Sequence, residues 1–93
     1  MFVGIVRIEL HLPAATSLKD KRSVVRSLKD RIRERTSAAV AEVDHQDLWQ
    51  RCALGVAVVS GTSHHVEELL QSVRRQVDAT HGAELLEWQE QRA

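Results

Sequence analysis

Aromatic residues are almost missing from this 93-residue sequence: there is no tyrosine, and Phe2, Trp49 and Trp88 are the whole aromatic set. The hydrophobic core must therefore be aliphatic, built from valine, leucine, isoleucine and alanine. A nucleic-acid domain that stacks bases on sheet aromatics is also disfavoured, because the central apolar run from Ala53 to Val59 contains no aromatic side chain. Cysteine is nearly absent too. Cys52 stands alone, which excludes an intramolecular disulfide and a thiolate metal cage and suits a reducing compartment. With one proline and four glycines there is no low-complexity segment, repeat or linker. No charged leader followed by an apolar stretch and a cleavage site opens the sequence, and no uncharged run approaches the length of a membrane span. The expectation is a single cytoplasmic domain spanning residues 1–93.

Net charge is also absent overall, with 13 basic and 13 acidic residues, but the charges are segregated. Between Ser17 and Thr36 lie eight basic residues (Lys19, Lys21, Arg22, Arg26, Lys29, Arg31, Arg33 and Arg35) against Asp20, Asp30 and Glu34, a local excess of +5 that the rest of the chain balances. The domain is an electrostatic dipole, which bears on its partners rather than its fold.

Hydrophobic periodicity gives the architecture. From Phe2 to Leu12, alternate residues are apolar (Phe2, Gly4, Val6, Ile8, Leu10, Leu12), the mark of a strand with one buried face, ended by Pro13. On its other face Val3, Ile5, Arg7, Glu9 and His11 are expected to be partly wet. Ser17 then reads as a helix N-cap with Asp20 three residues on, opening an amphipathic helix of roughly 18 residues whose apolar stripe is Leu18, Val25, Leu28 and Ile32. Ala38 to Val43 is a second strand, Asp44 to Arg51 a wide turn, and Cys52 to Ser60 a central strand. Val66, Leu69, Leu70, Val73 and Val77 stripe a second helix, with Glu67 and Glu68 placed in its first turn and Gly82 as its stop. Ala83 to Glu90 is a last strand, with Leu86 and Trp88 sharing its core face. The order β-α-β-β-α-β predicts an α+β, ferredoxin-like βαββαβ sandwich: a four-stranded antiparallel sheet with two helices on one face and the first and third strands central.

Three segments, VGIVRIELHLP, SLKDKRSVVRSLKDRIR and AEVDHQDLWQRCALGVAVVS, together resemble the YlxP-like proteins, small bacterial domains of ferredoxin-like fold. The resemblance runs from Met1 to about Trp88, and the turn VDHQDLWQ is its most specific part. It implies the fold and a cytoplasmic location. Because genes of such proteins often neighbour those of translation-initiation and ribosome-maturation factors, it also implies a connection with RNA or the ribosome. It implies no catalytic residues.

Candidate sites follow from chemistry. The loop Pro13-Ala14-Ala15-Thr16 lacks the glycines and arginine of an acylphosphatase phosphate cradle and the paired cysteines of a copper carrier. Asp44, His45, Asp47 and Trp49 form the densest polar cluster. They are read as a partner or ligand contact or as a structural turn, with acid–base chemistry at His45 the lesser alternative. His11 would reach that turn only if the strand ends meet. His64 and His65 are adjacent on a helix, point about 100° apart and do not make a two-histidine metal face. Cys52 is read as a buried small hydrophobe. Lys19, Arg22, Arg26, Lys29 and Arg33 are the candidate nucleic-acid contacts, since cations on one rigid helix can neutralise phosphates. Val3, Ile5, Ala57 and Val59, on the sheet face away from the helices, are the candidate surface for a homo-oligomer. The reading is a non-enzymatic binding domain without cofactor or metal, acting on RNA or the ribosome through its basic helix, with a self-associating interaction module as the alternative.

Overall fold

The computed structural model describes residues 1–93, with β1 (Phe2–His11), α1 (Leu18–Thr36), β2 (Ala39–Asp44), β3 (Arg51–Ser60), α2 (Ser63–Asp78) and β4 (Glu84–Arg92). The strands form one antiparallel sheet in the order β2-β3-β1-β4, so the first and third strands are central, as expected. No helix is long and apolar enough to cross a membrane.

The period-two pattern of β1 is what fixes the layers. Val6, Ile8 and Leu10 point inward with Leu54, Val56 and Val58 of β3, and the two helices cover them with Val25, Leu28 and Ile32 from α1 and Val66, Leu70, Val73 and Val77 from α2. Gly4 lets α2 lie directly on β1: a Cβ there would sit 2.6 Å from Val66 Cγ1 and 2.9 Å from Leu70 Cδ1. Ser17 caps α1 by accepting the Asp20 amide, and Asp20 reaches back to the Thr16 amide and hydroxyl. The exchange differs from a capping box in that the acid takes the amide of Thr16, one residue before the cap, rather than that of Ser17 itself.

Four expectations are corrected. Glu9 is not on a wet surface; it is 7% exposed, covered by the β2–β3 connection. Glu67 and Glu68 fall beyond the first turn of α2, which starts at Ser63 after its N-cap Thr62, and no acid sits in that turn. Gly82 takes its φ of 87° in the turn before β4, after α2 has already ended at Ala79. In β4 the register slips between Glu9 and Leu10 of its partner: Ile8 faces Trp88, but Leu10 faces Leu85. This β-bulge places Leu85 with Trp88 against the core and turns Leu86 out to 51% exposure. One extra residue in a strand inverts the alternation on one side of it.

Candidate functional site

The β2–β3 connection, residues 45–50, is strapped down from three sides. On the helix side, Lys21 is 2% exposed, and its Nζ lies 2.9 Å from Glu42 Oε2 and donates to the His45 carbonyl at 2.5 Å. Next to the start of α1, the Gln50 amide donates to the carbonyls of Pro13 and Ala15, each at 3.2 Å, while Leu12 N–H bonds the Gln50 carbonyl. On the open sheet face, His45 Nε2 lies 3.2 Å from Glu9 Oε2, and Arg51 and Arg7 reach the same carboxylate at 3.0 and 2.6 Å. His45 adopts a φ of 62°, a left-handed conformation that histidine tolerates better than most residues. That twist lets one residue give its carbonyl to Lys21 and its ring to Glu9.

Electrostatics in this cluster follow from who surrounds whom. Burial, the largest single influence on Glu9, pushes its carboxyl up, but hydrogen bonds from Arg51, Arg7 and His45 outweigh it and hold the carboxyl below its ordinary value. Asp44 is lowered as well, first by the His45 backbone amide and then by the His45 and Arg7 side chains. Burial pushes the Cys52 thiol up to about 12, with the adjacent Glu42 adding to the effect. A protonated, fully buried thiol is the small hydrophobe the sequence suggested. No group of three or more His, Cys, Asp or Glu side chains is placed to hold a metal ion. His11 pairs instead with Glu84 of β4 at 3.3 Å.

A pH dependence follows. Because the folded Glu9 carboxyl titrates below its unfolded value near 4.5, its stabilisation is complete above that value and lost as the pH falls through the lower folded one. Thermal melts of the parent and Glu9→Gln from about pH 6 to about pH 3 should therefore converge toward the acid end. A constant difference across that range would show that the carboxylate's charge contributes nothing.

Of the four residues singled out in the turn, Asp44 and His45 belong to this strap. Asp47 and Trp49 do not: Trp49 is 52% exposed and covers no part of the core, and Leu48 beside it is 49% exposed. The structure thus ties Asp44 and His45 into the strap and leaves Asp47 and Trp49 exposed outside it. Sequence reading missed Lys21, Glu9 and Glu42 as members. The available signal for Lys21 was its place on the apolar stripe of α1, four residues before Val25.

The basic residues of α1 are brought together more tightly than their number alone requires. At 100° per residue, Lys19, Arg22, Arg26, Lys29 and Arg33 fall within an arc of about 80° and extend over about 21 Å of helix axis. Their side flanks β2, across a shallow cleft of about 300 Å³ lined by Arg22, Arg26, Lys29, Arg33 and Glu42. Arg33 is partly committed: it donates to the Val40 carbonyl at 3.0 Å and lies 3.8 Å from Asp30. Lys19, Arg22, Arg26 and Lys29 take part in none of the chain's ion pairs. Arg31, on the opposite flank, instead donates to Thr80 of the segment after α2.

Comparison with known proteins agrees with this geometry at the level of the fold. A family model described as "Protein of unknown function (DUF503)" matches residues 3–90. The "Uncharacterized protein YlxP" of Bacillus subtilis (strain 168) is 32% identical over 77 residues, which cover 83% of this chain and 84% of that protein. Among solved structures, the de novo designed protein Foldit4 superposes with a TM-score of 0.56 at 10% identity, covering 98% of this chain and 96% of its own. The designed protein LFR1 1, with a ferredoxin fold, gives 0.54 at 12% identity, covering 100% and 84%. Likeness at such identities concerns the fold alone.

Proposed function

The chain belongs to the DUF503 family, the relationship its YlxP-like segments announced, and from that premise we propose that it is a non-catalytic domain that binds the phosphate backbone of structured RNA through α1. One observation carries the reading: Lys19, Arg22, Arg26 and Lys29 are four cations without ion-pair partners, aligned on one side of a rigid helix. Cations not tied into an ion pair remain available to an external anion, and a polyanion releases its counterions when they dock. The open sheet face carries Val3, Ile5, Arg7 and Glu9 of β1 beside Ala53, Gly55, Ala57 and Val59 of β3 and has no aromatic side chain. Base stacking there is disfavoured, and the reading is of the backbone rather than of sequence.

The test is a salt series of fluorescence anisotropy with a ribosomal RNA fragment and a duplex control. Four phosphate contacts predict a log–log slope of about −3 to −4, so affinity should fall by about a hundred-fold between about 50 and about 200 mM salt. No binding at the low-salt end would remove the RNA reading. A second reading has its own support: Val3 faces Val59 and Ile5 faces Ala57 in adjacent rows of the open face, with Val59 59% and Ile5 41% exposed. Sedimentation of the same samples would then show a mass that rises with concentration.

A further inference from the structure

β3 outruns its neighbour. The pairing of β2 with β3 begins at Ala39 opposite Ala57, because Ser37, with a φ of 53°, caps α1 in a left-handed turn and carries the chain off the sheet. Val58, Val59 and Ser60 of β3 therefore have a strand on one side only. Val3 exchanges both of its backbone hydrogen bonds with Ala93, on the β4 side, so it does not bond Val59, which it faces. In an antiparallel ladder this aims the Val59 N–H and C=O away from β1, into the space that β2 fails to occupy. The other edges of the sheet are guarded: Arg33 covers the Val40 carbonyl of β2, and β4 carries Glu84, Glu87 and Glu90.

The vacant position opens into a cleft of about 610 Å³ whose floor is Ala57, Val58, Val59 and Leu69 and whose rim holds Arg35 and His65. None of its ten lining residues is acidic. Arg35 takes part in none of the chain's ion pairs. The Ser60 hydroxyl accepts the Thr62 amide and meets His65 Nδ1 at 2.8 Å, which orients the ring and leaves Nε2 without a partner in the chain.

We propose that this notch receives a short, extended, acidic peptide that prolongs the line of β2 and pairs with the backbone of Val59. The unpaired N–H and C=O supply the strand-like register, the apolar floor takes alternate side chains, and Arg35 and His65 take a carboxylate. The charge of the rim selects an acidic occupant over a basic one. This inference is independent of RNA binding on α1.

The experiment is an amide-resolved NMR titration with an acetylated pentapeptide alternating valine and glutamate. Three comparison probes are its lysine counterpart, the same acidic peptide N-methylated at its central residue, and hexanoate. Saturable shifts centred on Val58 to Ser60, Arg35 and His65 are expected for the acidic peptide. The lysine and N-methyl peptides should bind at least about ten-fold more weakly, and Arg35→Glu, an exposed change, should reduce the acidic peptide's affinity as much. No shifts at millimolar acidic peptide would overturn the proposal. So would equal binding of the lysine or N-methyl peptide, or hexanoate reproducing the full effect, since each removes either the charge selection or the strand pairing.

Discussion

Lys21→Ala is expected to destabilise the domain by about 3 kcal/mol, lowering its melting temperature by about 15 °C, more than any single change on the outer face of α1. The lysine ammonium is buried between Glu42 and the carbonyls of His45 and Gln46. Truncation leaves that carboxylate without its cation, the Gln46 carbonyl without its donor, the His45 carbonyl with the Leu48 amide alone, and a gap where the methylenes lay. Glu42 keeps about a fifth of its side chain in contact with water, so the cost falls at the lower end of the range for breaking buried pairs. Lys21→Met with Glu42→Leu separates the causes: it refills the volume and removes the stranded charge, and should recover part of the loss. The turn carbonyls still lack the ammonium in that variant, so hydrogen exchange at residues 45–50 should be faster than in the parent. A Lys21→Ala domain within about 1 kcal/mol of the parent would show that the strap is incidental.

The fold was legible because its determinants are local. Alternation in β1, the Ser17 cap and the stripes of α1 and α2 each follow from sequence spacing, and the order of elements leaves few topologies. The bulge in β4 was not, because nothing between Glu84 and Trp88 distinguishes Leu85 from Leu86; only pairing with β1 decides which one faces the core. Thr62 and Ser63 are equally good caps by type, and the Thr62 hydroxyl takes the role by accepting the His65 amide, which leaves Glu67 and Glu68 beyond the first turn of α2.

The candidate site divides along the same line. The basic stripe is a property of one helix and could be read from one segment. The strap joins Glu9, Lys21, Glu42, His45 and Arg51 from four elements and the turn between two of them, and no spacing in the sequence announces that meeting. Glu9 illustrates the difficulty. Its alternation phase assigns it correctly to the face away from the helices, yet the connection folds over that face and buries it. The VDHQDLWQ segment thus owes much of its distinctive composition to architecture: Asp44, His45 and Gln50 hold the turn, while Asp47, Leu48 and Trp49 are exposed. A turn so constrained presents those three side chains on a fixed support.

Reversing Arg22, Arg26 and Lys29 to glutamate together is expected to weaken binding to structured RNA by about a thousand-fold and to flatten the salt dependence by about three units of slope. The structure selects this triple over one that includes Arg33, because Arg33 also closes the β2 edge through the Val40 carbonyl and its loss would mix stability with binding. Arg22 and Arg26 are exposed, Lys29 is half-buried at the mouth of the cleft beside Glu42, and none belongs to the core. An unchanged melting temperature should accompany the lost affinity, which separates a damaged surface from a damaged fold. Changing Asp47 and Trp49 to alanine provides the opposing control, since those residues lie in the turn rather than on the stripe. If the triple reversal leaves affinity and slope intact, the cations of α1 are a solvated face and the RNA reading fails. If the turn variant alone abolishes binding, recognition runs through Trp49 and the helix supplies only long-range attraction.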